Sequence, residues 1–435
     1  LATAGSAVGL GNIWRFPYLA AKYGGGTFLL TYLILTLTFG FSLMITEVAL
    51  GRKAGTSAIR AFGHFSKKHT FIGYLTTIIP FIIFPYYCVI GGWVTKYALV
   101  SLQGGIHNAA SDTFFTGFIS KSAEPMICVL VFLIATTVVV AGGVKGGVER
   151  VSTIMMPVLI VLLIGVSLFC ITRPGAMAGV AYYLKPSLKG FGPTTILAAL
   201  GQLFYSMSLA MGIMITFGSY MPKKADLEKS VTQVEIFDTG VAFLAGLMIV
   251  PAVFVFSNGD SSMLAKGPSL MFVMLPKVFN SMAFSGVIAA VFFILVLLAA
   301  LTSSISLLET LVAVLMDKFH MKRGTACITM FIIALLLAVP SSLGFGAWSN
   351  ITILGFDFLD FFDFISNSVL MPIAAFLTCL FVGYIIKPKV IVDEVESSGE
   401  FKRKSLFLMV KYIAPICIVA ILVFSVLEGL GFITV

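Results

Sequence analysis

Of the 435 residues, 59% are apolar and 11% charged, whereas a soluble domain averages roughly half apolar and about a quarter charged. A water-facing surface over most of this chain is therefore excluded, and lipid must be its solvent. The net charge of +9 does not indicate nucleic acid, because Lys and Arg gather in alternate connections, which is how orientation in a membrane is encoded.

Apolar runs long enough to cross the hydrocarbon core, about 20 residues each, begin near Ala2, Phe28, Ile72, Pro125, Val151, Thr194, Val231, Met282, Cys327, Ile365 and Leu406. In chain order these are spans 1 to 11. The ten-residue alternating segments of a membrane barrel are absent, and a helix satisfies its own backbone in lipid. The predicted fold class is therefore all-α, a polytopic membrane protein. No soluble domain interrupts the spans. The longest polar stretch, Lys387 to Lys404, joins spans 10 and 11, so residues 1–435 read as one membrane domain. One set of connections carries Arg52, Lys53, Lys67, Lys68, Lys223 and Arg403 among others. The opposite set holds only Lys121, Arg173, Lys185, Lys189, Lys266 and Lys277. The first set is predicted to be cytoplasmic, which puts the amino terminus inside and the carboxyl terminus outside. Leu1 lies within an apolar pattern with no charged region before it, so a preceding cytoplasmic segment is expected rather than a signal peptide.

Two spans break the pattern. Span 1 reads Gly5-Ser6-Ala7-Val8-Gly9-Leu10-Gly11-Asn12, and span 6 reads Ser206-Met207-Ser208-Leu209-Ala210-Met211-Gly212. Glycine weakens a helix by about 1 kcal/mol relative to alanine. Gly5 and Gly9 also form a GxxxG that would serve close helix packing. Position favours interruption: spans 1 and 6 each open a set of five, where inverted repeats place matching breaks, and a broken helix offers carbonyls to cations and an amino terminus to an anion.

Three further features carry chemistry. Ala299, Thr302 and Ser303 stand at i, i+3 and i+4, on one face of span 8, where the hydroxyls could otherwise bond back to their own helix. Asp238 lies about 10 Å into span 7 at helical rise, where an unpaired carboxylate costs several kcal/mol and a cation removes that cost. Ile83, Tyr87 and Ile90 share a face of span 3. By contrast, the six cysteines lie inside apolar runs without ligand spacing. The four histidines form no HExxH, and no GxSxG or phosphate loop is present. An enzyme or ATP-driven pump is thereby disfavoured, and a channel lacks its repeated filter loops. A transporter-fold sensor stays open as an alternative.

The run from Gly5 to Phe28, GSAVGLGNIWRFPYLAAKYGGGTF, resembles the signature of the neurotransmitter:sodium symporter family. The resemblance continues through Gly201-Gln202-Leu203-Phe204-Tyr205-Ser206 and Thr302-Ser303-Ser304, and covers essentially the whole chain. It is nearest to the eleven-span bacterial transporters of multiple hydrophobic amino acids; most relatives have a twelfth span. The resemblance implies a leucine-transporter-type fold with an inverted five-helix repeat (1–172 and 193–386) and an additional span 11 (405–432). It implies sodium-coupled import of neutral hydrophobic L-amino acids across the plasma membrane, with two Na+ ions and no obligatory protein partner.

Residue by residue, it implies one sodium site from the carbonyl of Ala7 with Asn12, Ser206 and Asp238. A second comes from Gly5, Val8, Ala299, Thr302 and Ser303. The substrate carboxylate would meet Leu10, Gly11 and Tyr87 beside Ser6 and Ala7. Ile83, Tyr205, Ser206, Ser208, Met211, Ser303 and Leu307 would enclose its side chain. The outer gate would pair Arg15 with Asp360, Asp357 and Asp363 being near enough to compete. Tyr220 and Asp317 match the inner gate. Glu47 and Glu309 read as network members. Gly9 stands where monoamine carriers have an aspartate, so the substrate brings its own carboxylate. Flexible Met211 suits bulky apolar side chains. Animal members bind chloride near Tyr32, Gln202 and Ser206; a fixed carboxylate at Asp238 would make that anion redundant.

Overall fold

The computed structural model describes residue 5 and residues 7–187, 191–257 and 268–432. Ser6, Lys189 and Lys266 lie outside the described residues. Nine uninterrupted helices among the described residues are long and apolar enough to cross a membrane. They are Gly26–Ala54 (span 2), Lys67–Leu102 (span 3), Ala123–Ala141 (span 4), Val144–Ile171 (span 5), Leu227–Phe256 (span 7), Ser285–Phe319 (span 8), Arg323–Leu343 (span 9), Phe358–Ile385 (span 10) and Lys404–Gly429 (span 11). The only β feature among the described residues is an isolated bridge, Ile353 to Phe356, so the fold is all-α.

Spans 1 and 6 are the interrupted ones. Span 1 leaves helical geometry at Val8 and Gly9 and resumes over Gly11–Arg15 and Phe16–Lys22. Span 6 consists of Pro193–Ser206 and Ile213–Tyr220. Between its halves Ser208, Ala210 and Gly212 all have positive φ, at 53°, 61° and 71°. Left-handed backbone costs a non-glycine residue about 1–2 kcal/mol, so something must hold it. Glu47 does part of this from span 2: its Oε1 accepts the Ala210 N–H at 2.7 Å. The two elements touch at backbone distance, since a Cβ on Gly218 would overlap the carbonyl of Val48, and one on Gly51 the carbonyl of Ile215. Glycine at both positions lets Glu47 reach the break.

Two connections are more ordered than their polarity suggests. Span 10 starts at Phe358, ahead of the predicted Ile365, because Asp357 caps it by accepting the Asp360 N–H at 2.9 Å. Asp360 and Asp363 therefore belong to its first turns, not to a loop before it. The 387–404 connection contains the helix Pro388–Glu396, clamped under the basic end of the bundle. The Glu394 carboxylate meets Arg52 at 2.8 Å, Lys223 at 3.0 Å and Lys53 at 3.7 Å. The Arg52 side chain, 1% exposed, also donates to the carbonyls of Ala225 and Glu394.

Burial pushes the Glu394 carboxyl up, but hydrogen bonds from Lys223 and Arg52 outweigh this and hold it below the usual carboxylate range. A depressed carboxyl stabilises the fold fully above its unfolded pKa, and that contribution is lost as pH falls through the folded value. The melting temperature of the detergent-solubilised protein should therefore drop below about pH 4. Glu394→Gln, which leaves Arg52 buried without its counter-charge, should cost about 3–5 kcal/mol and flatten that acid limb. Parallel acid profiles for the two proteins would contradict this account of the clamp.

Candidate substrate and ion site

Asp238 is fully buried in span 7 and gathers groups from both broken spans. Its Oδ1 accepts from Asn12 Nδ2 and from Ser206 Oγ, each at 2.7 Å, and its Oδ2 accepts from the Tyr32 hydroxyl at 3.1 Å. Asn12 Nδ2 also donates to Ser206 Oγ at 2.9 Å, and Asn12 Oδ1 accepts the Gly9 N–H at 2.9 Å. One asparagine thus ties the break in span 1 to spans 6 and 7. A buried carboxylate with a hydroxyl and an amide, and no nitrogen or sulfur ligand, is a donor set for a hard cation.

A second oxygen cluster lies where span 8 crosses the same break. Thr302 Oγ1 is 3.2 Å from the Val8 carbonyl and 3.0 Å from that of Ala299, and Ser303 Oγ is 3.1 Å from the Val8 carbonyl. Gly5 abuts the cluster, since a Cβ there would lie 3.7 Å from Thr302 Cβ. The structure thus brings Gly5, Val8, Ala299, Thr302 and Ser303 together. Both hydroxyls can turn their hydrogens away and offer lone pairs instead. The cluster contains no carboxylate, so only a monovalent ion suits it electrostatically.

Between the clusters is a pocket with a polar and an apolar end. At the polar end are Ala7, Gly9, Leu10, Gly11, Asn12 and Tyr87, where helix resumes and its first N–H groups favour an anion. The Tyr87 hydroxyl is buried beside the Ser303 hydroxyl and the Leu10 backbone, where a ligand oxygen would complete its hydrogen bonding. A Cβ on Gly9 would overlap Ser303 Oγ and come within 3.5 Å of the Tyr87 hydroxyl. Ile83, Tyr205, Ser206, Ser208, Met211, Ile213, Ser303 and Leu307 complete the lining. The expected pocket residues that the structure describes line it, except Ile90; Ser6 falls outside the described residues. Sequence reasoning missed Ile213, the first residue of the helix that follows left-handed Gly212.

Above Tyr205 the Arg15 guanidinium stacks on the ring, 5.1 Å from its centroid. Asp363 accepts from the Tyr86 hydroxyl at 3.0 Å and from Asn367 at 2.6 Å, and it lies, with Arg15, in electrostatic reach of Tyr205. Asp360 has its N–H on the Asp357 cap. At the basic end Tyr220 and Asp317 are not hydrogen-bonded to each other. Tyr220 donates to Glu309 at 2.8 Å, Arg323 clasps Glu309 with two bonds of 2.7 and 2.8 Å, and Asp317 accepts the Ser57 N–H at 2.6 Å.

Comparison with known proteins gives this geometry its context. The family model for the sodium:neurotransmitter symporter family matches residues 1–118 and 116–430. The chain belongs to this family. It is 35% identical over 429 residues to a sodium-dependent transporter of Bacillus subtilis, covering 97% of this chain and 94% of that one. It is 34% identical to a sodium-dependent transporter of Haemophilus influenzae, covering 97% and 95%. The human sodium- and chloride-dependent GABA transporter 2 is 27% identical over 73% of this chain and 60% of its own length. A crystal structure of MhsT in complex with L-phenylalanine superposes with a TM-score of 0.88 at 38% identity, covering 98% of this chain and 97% of that one. The protein is therefore a sodium-dependent, multi-pass membrane transporter of the leucine-transporter-type fold, from a family of transporters rather than enzymes.

Gly9→Ala tests the polar end of the pocket. Its methyl would occupy the space between Ser303 Oγ and the Tyr87 hydroxyl. Affinity for a carboxylate-bearing ligand should fall by at least about tenfold, or 1.4 kcal/mol, and the melting temperature should fall too, because the added methyl displaces the Ser303 hydroxyl that bonds the Val8 carbonyl. Scintillation proximity binding that stays at the unmutated level would show that the ligand does not sit against Gly9.

Proposed function

We propose that this transporter imports neutral, hydrophobic L-amino acids together with two sodium ions, by alternating access and without chloride. The observation that carries the reading is the polarity of the pocket. Its polar end combines a helix amino terminus, the buried Tyr87 hydroxyl and the Asp238 cluster, with glycine at position 9. Its other end is Ile83, Met211, Ile213 and Leu307. A zwitterion with an apolar side chain suits both ends. The substrate carboxylate meets the N–H groups at Leu10 and Gly11 and the Tyr87 hydroxyl, and its ammonium faces carbonyls freed at the two breaks. The L-phenylalanine bound in MhsT supports the substrate class.

The first sodium takes Ala7, Asn12, Ser206 and Asp238 as ligands; the second takes Gly5, Val8, Ala299, Thr302 and Ser303. Asp238 supplies the negative charge that a chloride would otherwise provide. Its carboxylate reaches Tyr32 and Ser206, so a chloride beside them would face an anion in a low-dielectric site. At the outer mouth, Arg15 and Asp363 close over Tyr205, with Asp363 favoured over Asp360 by its approach to Tyr205 and Tyr86. At the inner mouth, Tyr220 and Asp317 act through separate partners, Glu309–Arg323 and the Ser57 N–H. The basic end faces the cytoplasm of a cell whose plasma membrane the chain spans, and residues 1–172 and 193–386 form the two inverted repeats.

Uptake into proteoliposomes tests the proposal. An inward sodium gradient should drive uphill accumulation of radiolabelled L-phenylalanine, with tyrosine competing and tyramine failing to compete. Replacing chloride by gluconate at constant sodium should change the rate by less than about twofold. Equilibration without accumulation, or equal competition by tyramine, would defeat the coupling or the substrate assignment. A large loss in gluconate would defeat the role of Asp238.

A further inference from the structure

At the end of the bundle opposite the basic one, Lys22, Tyr23, Tyr182, Lys185 and Ser187 help to line a cavity of about 560 Å³. Its walls are set by contacts at backbone distance. Lys22 ends the second half of span 1, and the chain turns into span 2 at Gly24 and Gly25, both with positive φ. A Cβ on Gly25 would overlap the Tyr182 carbonyl, and one on Gly26 the carbonyl of Lys185. The Tyr182 hydroxyl donates to the Ala21 carbonyl at 2.6 Å, and Thr27 Oγ1 accepts the Ser187 N–H at 2.8 Å. The connection between spans 5 and 6, with its helix Ala176–Leu184, is thereby held against the turn between spans 1 and 2. The cavity is left between them.

Charge, depth and surroundings together define what fits it. The lining carries the ammonium groups of two lysines and, among the described residues, no carboxylate. Glu428 acts on Tyr23 from the end of span 11 but does not line the cavity. An anion is therefore favoured. The cavity also lies where span 2 begins, and Lys22 Nζ sits over the rings of Tyr18 and Tyr23, 5.8 and 5.5 Å from their centroids. Tyrosine and lysine together are the anchors of a membrane–water interface, the depth at which basic pockets between helices take lipid headgroups. Gly26, Leu30 and Ile34 follow at i, i+4 and i+8 in one helix of span 2, so they form one ridge. Gly26 abuts Lys185, and the ridge therefore descends from the cavity wall. Leu30 and Ile34, about 6 and 12 Å farther into the membrane at helical rise, are 47% and 54% exposed. A soluble anion would use the lysines alone; an amphiphile uses the lysines and the ridge.

We propose that this cavity holds the phosphate headgroup of an anionic phospholipid, with Lys22 and Lys185 on the phosphate and acyl chains along Leu30 and Ile34. Lys22 closes span 1, and Lys185 precedes the first half of span 6, Pro193–Ser206. The headgroup thus bridges the two segments that carry the broken spans at this end of the molecule.

Native mass spectrometry of the full chain in detergent, titrated with phosphatidylglycerol, tests this. One phosphatidylglycerol should bind ahead of the rest, and in Lys22→Gln/Lys185→Gln its Kd should rise by at least about tenfold. Lys67→Gln/Lys68→Gln, which removes the same charge from the basic end, should leave that Kd within about twofold. Ala181→Trp, which fills the cavity without changing the charge, should weaken the first lipid as strongly as the loss of both cavity lysines. Those lysines are exposed, so their variant decides the matter if Ala181→Trp does not fold. Phosphatidylcholine with the same chains should bind at least about fivefold more weakly, and millimolar glycerol phosphate should not displace the lipid. Equal losses in the two lysine variants would mean that only overall charge counts, which overturns the proposal. So does an unchanged Kd when the cavity lysines are lost, or equal binding of phosphatidylcholine. Displacement by glycerol phosphate would assign the cavity to a soluble phosphate and overturns the lipid in the same way.

Discussion

In hydrocarbon, a backbone N–H or C=O without a partner costs several kcal/mol, and this chain opens two helices near their middles. Everything around the site follows from how those freed groups are satisfied. In span 6, Glu47 takes the Ala210 N–H. In span 1, Asn12 takes the Gly9 N–H, while Thr302 and Ser303 hydroxyls take the Val8 carbonyl. Each partner comes from another span or from across the break, so neither break survives without its neighbours. In span 1 the oxygens that hold the break, those of Asn12, Val8, Thr302 and Ser303, are also ones a cation would use, whereas the Glu47–Ala210 bond in span 6 is separate. Binding therefore acts on the elements that hold the two halves of the molecule in register.

Charge is arranged along span 7 in a similar manner. Asp238 sits with neutral donors only, Glu235 with Arg403, and Glu228 with Arg403 and the backbone of the 10–11 connection. The negative charges run from the basic end to the middle of the bundle, and their compensation weakens toward the centre. Arg403 accompanies the outer two, while among the described residues the innermost carboxylate has neutral donors only. The Arg52–Glu394 clamp joins this system from below by tying the 10–11 connection to the basic end of span 2.

Local features were legible from sequence. The glycine and serine runs marked both breaks, because helix propensity and freedom of φ are properties of the residues themselves. The i, i+3, i+4 spacing placed Ala299, Thr302 and Ser303 on one face, and the depth of Asp238 in an apolar run singled it out. Choices that depend on distant partners were not legible. The aspartates at 357, 360 and 363 look alike in sequence; in the structure Asp357 caps span 10 and Asp363 bonds Tyr86, 277 residues away in sequence. The helix within 387–404 looked like a polar linker because its buried side owes its stability to Arg52, 342 residues from Glu394. Tyr220 and Asp317 match the inner gate by resemblance, but the partners they have here, Glu309 with Arg323 and the Ser57 N–H, lie far off in sequence and could not be named from it.

The central claim is that sodium binds oxygens that join the two helix breaks. Hydrogen–deuterium exchange of the backbone amides in residues 7–12 and 206–212, with sodium or with potassium at equal ionic strength and no amino acid present, tests this most directly. Sodium alone should slow exchange in both segments together, and Asp238→Asn should remove that protection from both. Protection that is the same in sodium and potassium, or that appears in one segment without the other, would contradict the account.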